Sequence, residues 1–383
     1  MYKEIKKDKS TSWNDISRRI FGTPDKAGDL EKMNNNVSSG GVLAPCEDDS
    51  KESSGDGLRL EKGETIYKDF SEFTLIDSLG SIKGAVLIFN GTNAQYDFKF
   101  NESVKIYDEN NDVFLKGYVA NITPCMDNRI KWVQVEIKSD AGVLIETELP
   151  YPLEFINLTL RQILTNIAGY FGVKIEFSDV PELDEIFKNE IETSFTAGID
   201  EKTFNFMYRL CKSKGLLLTD TGDGLFVGRL TSDEKEKINF IENECVGVQS
   251  IKPIFKTDGL ARYYEVNSQY PKSESATVTI PFPRPITKRF NSNDYNADNL
   301  ETVASQIACK EIGEAFKIQI LLNETKGLKS GDLAILKWDS VYITEETEFV
   351  IESSVRKVDS TFIILTLPCA YTGEIPEKLP LCG

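Results

Sequence analysis

Twice along this 383-residue chain the apolar residues alternate with period two, and between those two stretches they recur at helical spacing. Alternation marks a half-buried strand, whereas recurrence every three and four residues marks a helix with one buried face. The order strands, mixed segment, strands therefore points to a β-rich α+β fold. At 383 residues the chain also exceeds what one hydrophobic core usually organises, so several domains are expected.

Residues 58–149 supply the first strands. Leu58–Leu60, Phe73–Ile76, Ala85–Phe89, Val104–Tyr107, Val113–Leu115 and Trp132–Ile137 are short apolar runs, and Asn110-Asn111-Asp112 reads as a hairpin turn between two of them. Their number and spacing fit a small barrel or sandwich. Residues 246–383 return to the same pattern with runs at Lys317–Leu322, Leu333–Leu336, Phe349–Glu352 and Thr361–Leu367. One helix interrupts them, marked by Leu300, Val303, Ala304, Ile307 and Ile312, and the four prolines between 271 and 285 call for extended edge or loop structure. The two segments are expected to form similar small β-barrels on either side of the middle segment. A single continuous sheet through both, or unrelated architectures for the two, would overturn any argument from two barrels per chain to pseudo-six-fold symmetry.

Residues 150–245 change period. Thr159-Leu160-Arg161-Gln162 is a capping box, Leu160, Ile163, Leu164, Ile167 and Phe171 follow at helical spacing, and Gly172 ends the helix. Val173–Phe177 reads as a strand. A second helix, capped at Asp200 or Thr203, buries Phe204, Met207, Tyr208 and Cys211. Asp220-Thr221-Gly222-Asp223-Gly224 then joins two apolar runs. Its carboxylates and glycines suggest a calcium or phosphate loop, but it lacks the ligand spacing and closing Glu of an EF-hand and the Gly-Lys-Ser/Thr of a phosphate loop. A hairpin turn accounts for all five residues.

Two short regions complete the chain. Residues 1–45 read as strand, helix, helix, strand: Tyr2–Lys6, a helix bearing Trp13, Ile16 and Ile20, one started by Thr23-Pro24 and bearing Ala27, Leu30 and Met33, then Gly41–Pro45. Residues 46–57, CEDDSKESSGDG, carry no aliphatic or aromatic side chain and read as a solvated linker.

Composition narrows the chemistry. The chain has no histidine, which removes Ser-His-Asp and Cys-His nucleophile activation, His-ligated zinc and imidazole acid–base steps. Seven cysteines (Cys46, Cys125, Cys211, Cys245, Cys309, Cys369 and Cys382) are scattered and never spaced C-x-x-C, so free thiols are expected rather than a zinc ribbon or a disulfide framework. No apolar run approaches the roughly 18 residues of a membrane span. The net charge of −17 disfavours sequence-independent attraction to nucleic acid or anionic lipid. No catalytic, cofactor-binding or metal-ligating residue is assigned. No acid marks itself as one of a glycosidase pair, although a cell-wall hydrolase is an alternative that 61 carboxylates leave open.

Several segments carry a family resemblance. LRQILTNIAGYFGVKIEF, DEKTFNFMYRLCKSKGLLLTDTGDGLFVGRL, VKIYDENNDVFLKGYVANI around Gly117-Tyr118-Val119, GLKSGDLAILK and FVIESSVRKVDSTFIILTLPCAYT occur in one order across about residues 58–372. Together they resemble the baseplate hub of contractile phage tails, the Mu-like tail protein or late-control family. SWNDISRRIFGTPDKAGDLEKMNN resembles a LysM module, with Lys7–Ser10 where Gly-Asp-Thr is usual.

The resemblance implies a β-rich α+β protein with five parts: a LysM-like unit at 1–45, a linker at 46–57, a first hub barrel at 58–149, an α/β insert at 150–245 and a second hub barrel with a C-terminal tail at 246–383. It implies a structural role without enzyme activity or cofactor: a homotrimeric ring that adapts the hexameric tail tube to the trimeric central spike and touches other baseplate proteins. Such a ring belongs to a virion tail baseplate or a related injection particle assembled in the host cytoplasm, and DNA passes transiently through its lumen. The LysM-like unit implies protein docking, with peptidoglycan binding as the alternative.

Overall fold

The computed structural model describes residues 2–7, 40–45, 58–92, 96–108, 111–127, 130–150, 153–188, 195–198, 200–230, 237–245, 247–268, 273–291, 300–323 and 327–380. The chain divides into two units, Met1–Asp56 and Gly57–Gly383. In the first unit, β1 (Tyr2–Lys7) pairs antiparallel with β2 (Gly40–Pro45), the two strands expected there. The two expected helices, the rest of the LysM-like reading and the linker lie outside the described residues.

The second unit begins with seven strands: β3 (Arg59–Lys62), β4 (Thr65–Tyr67), β5 (Phe70–Ser78), β6 (Gly84–Asn90), β7 (Ser103–Tyr107), β8 (Val113–Asp127) and β9 (Ile130–Ser139). Their inward side chains, among them Leu60, Leu75, Leu87, Phe89, Ile106, Leu115, Val119 and Val135, form one apolar cluster. Each fully buried aliphatic or aromatic side chain is worth about 1.5–3 kcal/mol of transfer free energy. Gly117 is required where β8 crosses β9, because a Cβ there would lie 1.8 Å from the Lys138 carbonyl oxygen.

After the short helix α1 (Val143–Glu146) comes the insert: β10 (Glu154–Phe155), α2 (Leu160–Tyr170), β11 (Ile175–Phe177), α3 (Pro181–Lys188), β12 (Phe195–Thr196), α4 (Thr203–Ser213), β13 (Leu217–Asp220) and β14 (Leu225–Gly228). The capping box at Thr159 and Gln162 is formed, at 3.1 and 2.9 Å, and Gly172 turns the chain at φ +70°. The cap of α4 differs from expectation. Lys202 occupies that position, and the Thr203 hydroxyl instead donates to the Thr147 carbonyl at 3.2 Å. The insert has its own core, built from Leu164, Phe187, Phe206, Met207, Leu210, Leu218 and their neighbours.

The remaining strands are β15 (Ile238–Ile241), β16 (Val248–Phe255), β17 (Tyr263–Ser268), β18 (Glu274–Thr279), β19 (Thr287–Asn291), β20 (Phe316–Leu322), β21 (Leu333–Trp338), β22 (Ile343–Lys357) and β23 (Thr361–Thr366), with helices α5 (Leu300–Ala315) and α6 (Cys369–Thr372). β18, β17 and β19 form a small separate sheet; Pro281, Pro283 and Pro285 fall in the loop after its edge strand β18, and Pro271 lies outside the described residues.

The expectation of two separate barrels is corrected here. One hydrogen-bonded sheet runs β16-β20-β23-β22-β5-β6-β9-β8-β7-β3-β4, with β15 and β21 branching from β22. The long strand β22 causes the continuity. Its first half pairs with β21, and Ser353–Lys357, beyond the end of β21, pair with Thr74–Ser78 of β5 along the same edge.

The two halves nevertheless repeat one plan. The order β5-β6-β9-β8-β7-β3 recurs as β16-β20-β23-β22-β21-β15. Registers match residue for residue: Ile76 faces Gly84 as Ile254 faces Lys317, Leu87 faces Val135 as Ile320 faces Ile363, and Ser103 faces Tyr118 as Leu333 faces Val350. The bulges match too. They fall between Phe70 and Glu72 and between Val248 and Ser250 in the first strands, and between Val119 and Asn121 and between Ile351 and Ser353 in the long ones. Buried Ala85, Leu87 and Phe89 of β6 correspond to buried Ile318, Ile320 and Leu322 of β20. The last strand departs from the plan, since β3 runs antiparallel to β7 and β15 parallel to β21.

Candidate functional site

The most concentrated polar chemistry in the second unit lies where β22 meets β5 and the insert hairpin docks. Asp77, on β5, is 2% exposed. Its carboxylate accepts from the Ser330 hydroxyl at 2.6 Å and the Ser330 amide at 3.1 Å, and lies 3.4 Å from the Lys83 ammonium. Lys83 and Arg356, both buried, approach the Phe114 ring at 5.1 and 4.8 Å from its centroid. Ser78 donates to Ser353 across the strand pair at 2.7 Å. Taking the Asp77 and Lys83 charges out of water costs about as much as their attraction returns, so the pair adds little net stability.

The insert hairpin completes this joint. Asp220, 3% exposed, accepts from the Lys83 amide at 2.9 Å, the Gly222 amide at 2.7 Å and the Ser139 hydroxyl. Burial raises the Asp220 carboxyl above its ordinary range, against the opposing pull of those donors. Gly222, at φ +95°, is pressed against β8: its carbonyl accepts from the Lys116 amide at 2.7 Å, and a Cβ would lie 2.2 Å from the Phe114 carbonyl oxygen. Residues 220–224 are therefore a hairpin turn whose carboxylate holds the insert to the first set of strands. Among the described residues, no group of three or more Cys, Asp or Glu is arranged to hold a metal ion.

Beyond the joint, the sheet leaves edges open. Among the described residues, Asn121–Asp127 of β8 pair only with β9, since the pairing with β7 stops at Tyr118, and β16 pairs only with β20. Asn121, Thr123, Pro124, Lys252 and Lys256 along these edges are exposed, and Met126 is 72% exposed. Such edges are templates for pairing with another chain.

The cysteines take no part in the joint. Cys211, Cys309 and Cys369 are buried, Cys125 and Cys245 are half-buried, and all five are free thiols, while Cys46 and Cys382 lie outside the described residues. Burial pushes the Cys211 thiol up, away from the thiolate that a nucleophile would need. The sequence assigned no site residues. Asp77, Lys83 and Arg356 were missed and Asp220 was read only as a turn residue, and one sign was available: Asp77 stands at an inward position of an alternating strand, two places after Leu75.

No protein-family model matches the chain, and no curated protein matches it. Solved structures do. The 43 kDa tail protein of prophage MuSo2 from Shewanella oneidensis superposes with a TM-score of 0.69 at 17% identity, over 82% of this chain and 99% of that one. A tail protein from Neisseria meningitidis gives 0.70 at 12% identity, over 83% and 98%. An Escherichia coli type VI secretion component, described as structurally similar to bacteriophage T4 tail proteins, gives 0.55 at 10% identity, over 84% and 80%. The chain shares its β-rich α+β fold with phage tail proteins and with a component of the type VI secretion system.

Proposed function

We propose that this protein is a structural hub of the baseplate in a contractile phage tail or related injection particle. Three copies form a ring between the hexameric tail tube and the trimeric central spike. The observation that carries the reading is the internal repeat: one chain presents two six-stranded units of the same strand order, with matched registers through their first five strands. Three such chains present six similar units toward a six-fold partner and keep three-fold symmetry toward the other. Closed rings repeat one interface type, which makes that adaptor simple to assemble. The continuous sheet removes the argument from two separate barrels, and the repeat of strand order and register takes its place, because a ring of repeated units needs a joint between each neighbouring pair. The β22–β5 pairing is one such joint.

In this reading the repeated units act as the two hub barrels, the insert as an outward buttress and the LysM-like unit as a docking element. The role is scaffolding without catalysis or cofactor. The net charge of −17 suits a lumen that repels passing DNA rather than gripping it. Assembly takes place in the host cytoplasm and the mature location is the tail baseplate. The test is to delete the coding segment and purify particles. Tubes without spikes, or no tails at all, are expected. Intact, infective or lethal particles would refute the role.

A further inference from the structure

The repeat assigns partners to two of the open edges. Within the chain, Ser353–Lys357 of β22 pair antiparallel with Thr74–Ser78 of β5. In the matched registers, β22 corresponds to β8 and β5 corresponds to β16. The counterparts of the two paired segments are Asn121–Cys125 of β8 and Lys252–Lys256 at the end of β16. Neither segment finds the other inside one chain, and both have unpaired outer edges among the described residues.

We propose that β8 of one copy pairs antiparallel with β16 of a second copy in the register of the internal joint. Ile122 then stands opposite Phe255, Asn121 opposite Lys256, Thr123 opposite Ile254, and Cys125 opposite Lys252. The contact is head-to-tail, so it passes from copy to copy and has to close into a ring or run on as a filament. That it closes at three rests on the trimeric reading above; the pairing itself does not.

Two details fit. First, the backbone donors face the right way. The Lys256 amide donates inward to Ala315 at 2.9 Å, which leaves the groups of Phe255 pointing out, and Leu79 donates to the Glu352 carbonyl at the corresponding end of the internal joint. Second, the edges are restrained. Pro124 and Pro253 fall opposite each other, at the position where Arg356 and Leu75 face each other inside the chain. Neither proline has an N–H, and each Cδ stands where an N–H would aim at the other's carbonyl oxygen, so the strands part at this pair and the backbone hydrogen bonds are confined to the Ile122–Phe255 end. Proline is a recognised guard on edge strands against indiscriminate pairing.

A single substitution tests the register. Lys252 is exposed and would lie opposite the native Cys125 of the neighbouring copy, in a pair without backbone hydrogen bonds. The side chains of such pairs come closest, within reach of a disulfide after small adjustment. Lys252→Cys full-length protein, oxidised at the highest concentration that stays soluble, is expected to give a disulfide-linked species that closes at three chains. The same substitution with Cys125→Ser should give none. Ser250→Cys and Ile254→Cys, each slipped by two residues, should link far less. A linked ladder running past three chains would support the pairing and overturn the three-copy ring. A trimer by native mass with no Cys125-dependent link would overturn the pairing and leave the ring standing. A chain that stays monomeric and unlinked would overturn both.

Discussion

Replacing Asp220 with Ala removes the acceptor on which the insert hairpin and the first strands converge. Three buried donors lose their partner: the Lys83 amide, the Gly222 amide and the Ser139 hydroxyl. The hydroxyl can rotate to another acceptor, but the two amides are fixed by the backbone. An unsatisfied buried donor costs about 1–3 kcal/mol, so two cost about 2–6 kcal/mol. Water entering the vacated space offsets part of this, and a loss of about 3 kcal/mol is expected. Asp220→Asn keeps the shape and one acceptor oxygen and should cost about 1 kcal/mol. The pH dependence has a definite sign. The folded carboxyl titrates above its ordinary 3.8, so the stability it contributes is full below pH 3.8 and is lost as pH rises through the raised value. Asn does not titrate, and the deficit of Asp220→Asn should therefore narrow as pH rises. Urea unfolding measures the loss, and amide exchange at Lys83 and Gly222 reads the joint locally. A change within about 0.5 kcal/mol for Asp220→Ala, the range of an ordinary surface substitution, with unaltered exchange at both amides, would refute the reasoning.

Three further outcomes are expected. Gly117→Ala places a Cβ 1.8 Å from the Lys138 carbonyl oxygen and should cost more than the ~1–3 kcal/mol of ordinary overpacking, read as insoluble protein or a collapsed urea midpoint. Glu201 is pushed upward by burial, but Arg209 at 3.0 and 2.8 Å and the Gly198 amide at 2.9 Å outweigh this and hold its carboxyl below the ordinary 4.5. The stability gained is present above pH 4.5 and lost as pH falls through the lowered value, so the deficit of Arg209→Ala in urea titrations should be full near neutrality and shrink in acid. Among the cysteines of known placement, Cys125 and Cys245 should alkylate first, and Cys211, Cys309 and Cys369 only on unfolding, as peptide mass spectrometry would show.

Local structure was legible where one rule governs. The Thr159 capping box, the stop at Gly172 and the hairpin at 220–224 follow from short-range chemistry. The long strands were not legible. β8 and β22 each run 15 residues, yet the sequence shows only Val113–Leu115 and Phe349–Glu352 as apolar runs. The reason is the bulge near the middle of each, which shifts the alternation by one residue, so inward positions before and after it no longer share a parity. Helix α3 was missed because Leu183, Ile186 and Phe187 are its apolar side chains in an acidic segment. The joint was missed for a different reason. Pairing of Ser353–Lys357 with Thr74–Ser78 links positions far apart in the chain, and no local pattern encodes a partner at that distance. Asp77 in an inward position was the available clue. The likeness of the two halves was expected from the recurring strand runs, but its register was not legible, because it is held in pairing and bulge positions: Phe89 corresponds to Leu322 and Val133 to Thr361, so the two halves share burial without sharing residues.

The account turns on two repeated units per chain forming one closed ring. A reconstruction of the assembled particle tests this most directly. Three copies on the tail axis, between a hexameric tube and a trimeric spike, with β8 of each copy running beside β16 of the next, is the predicted result. Six copies per ring, or a position away from the axis, would contradict it.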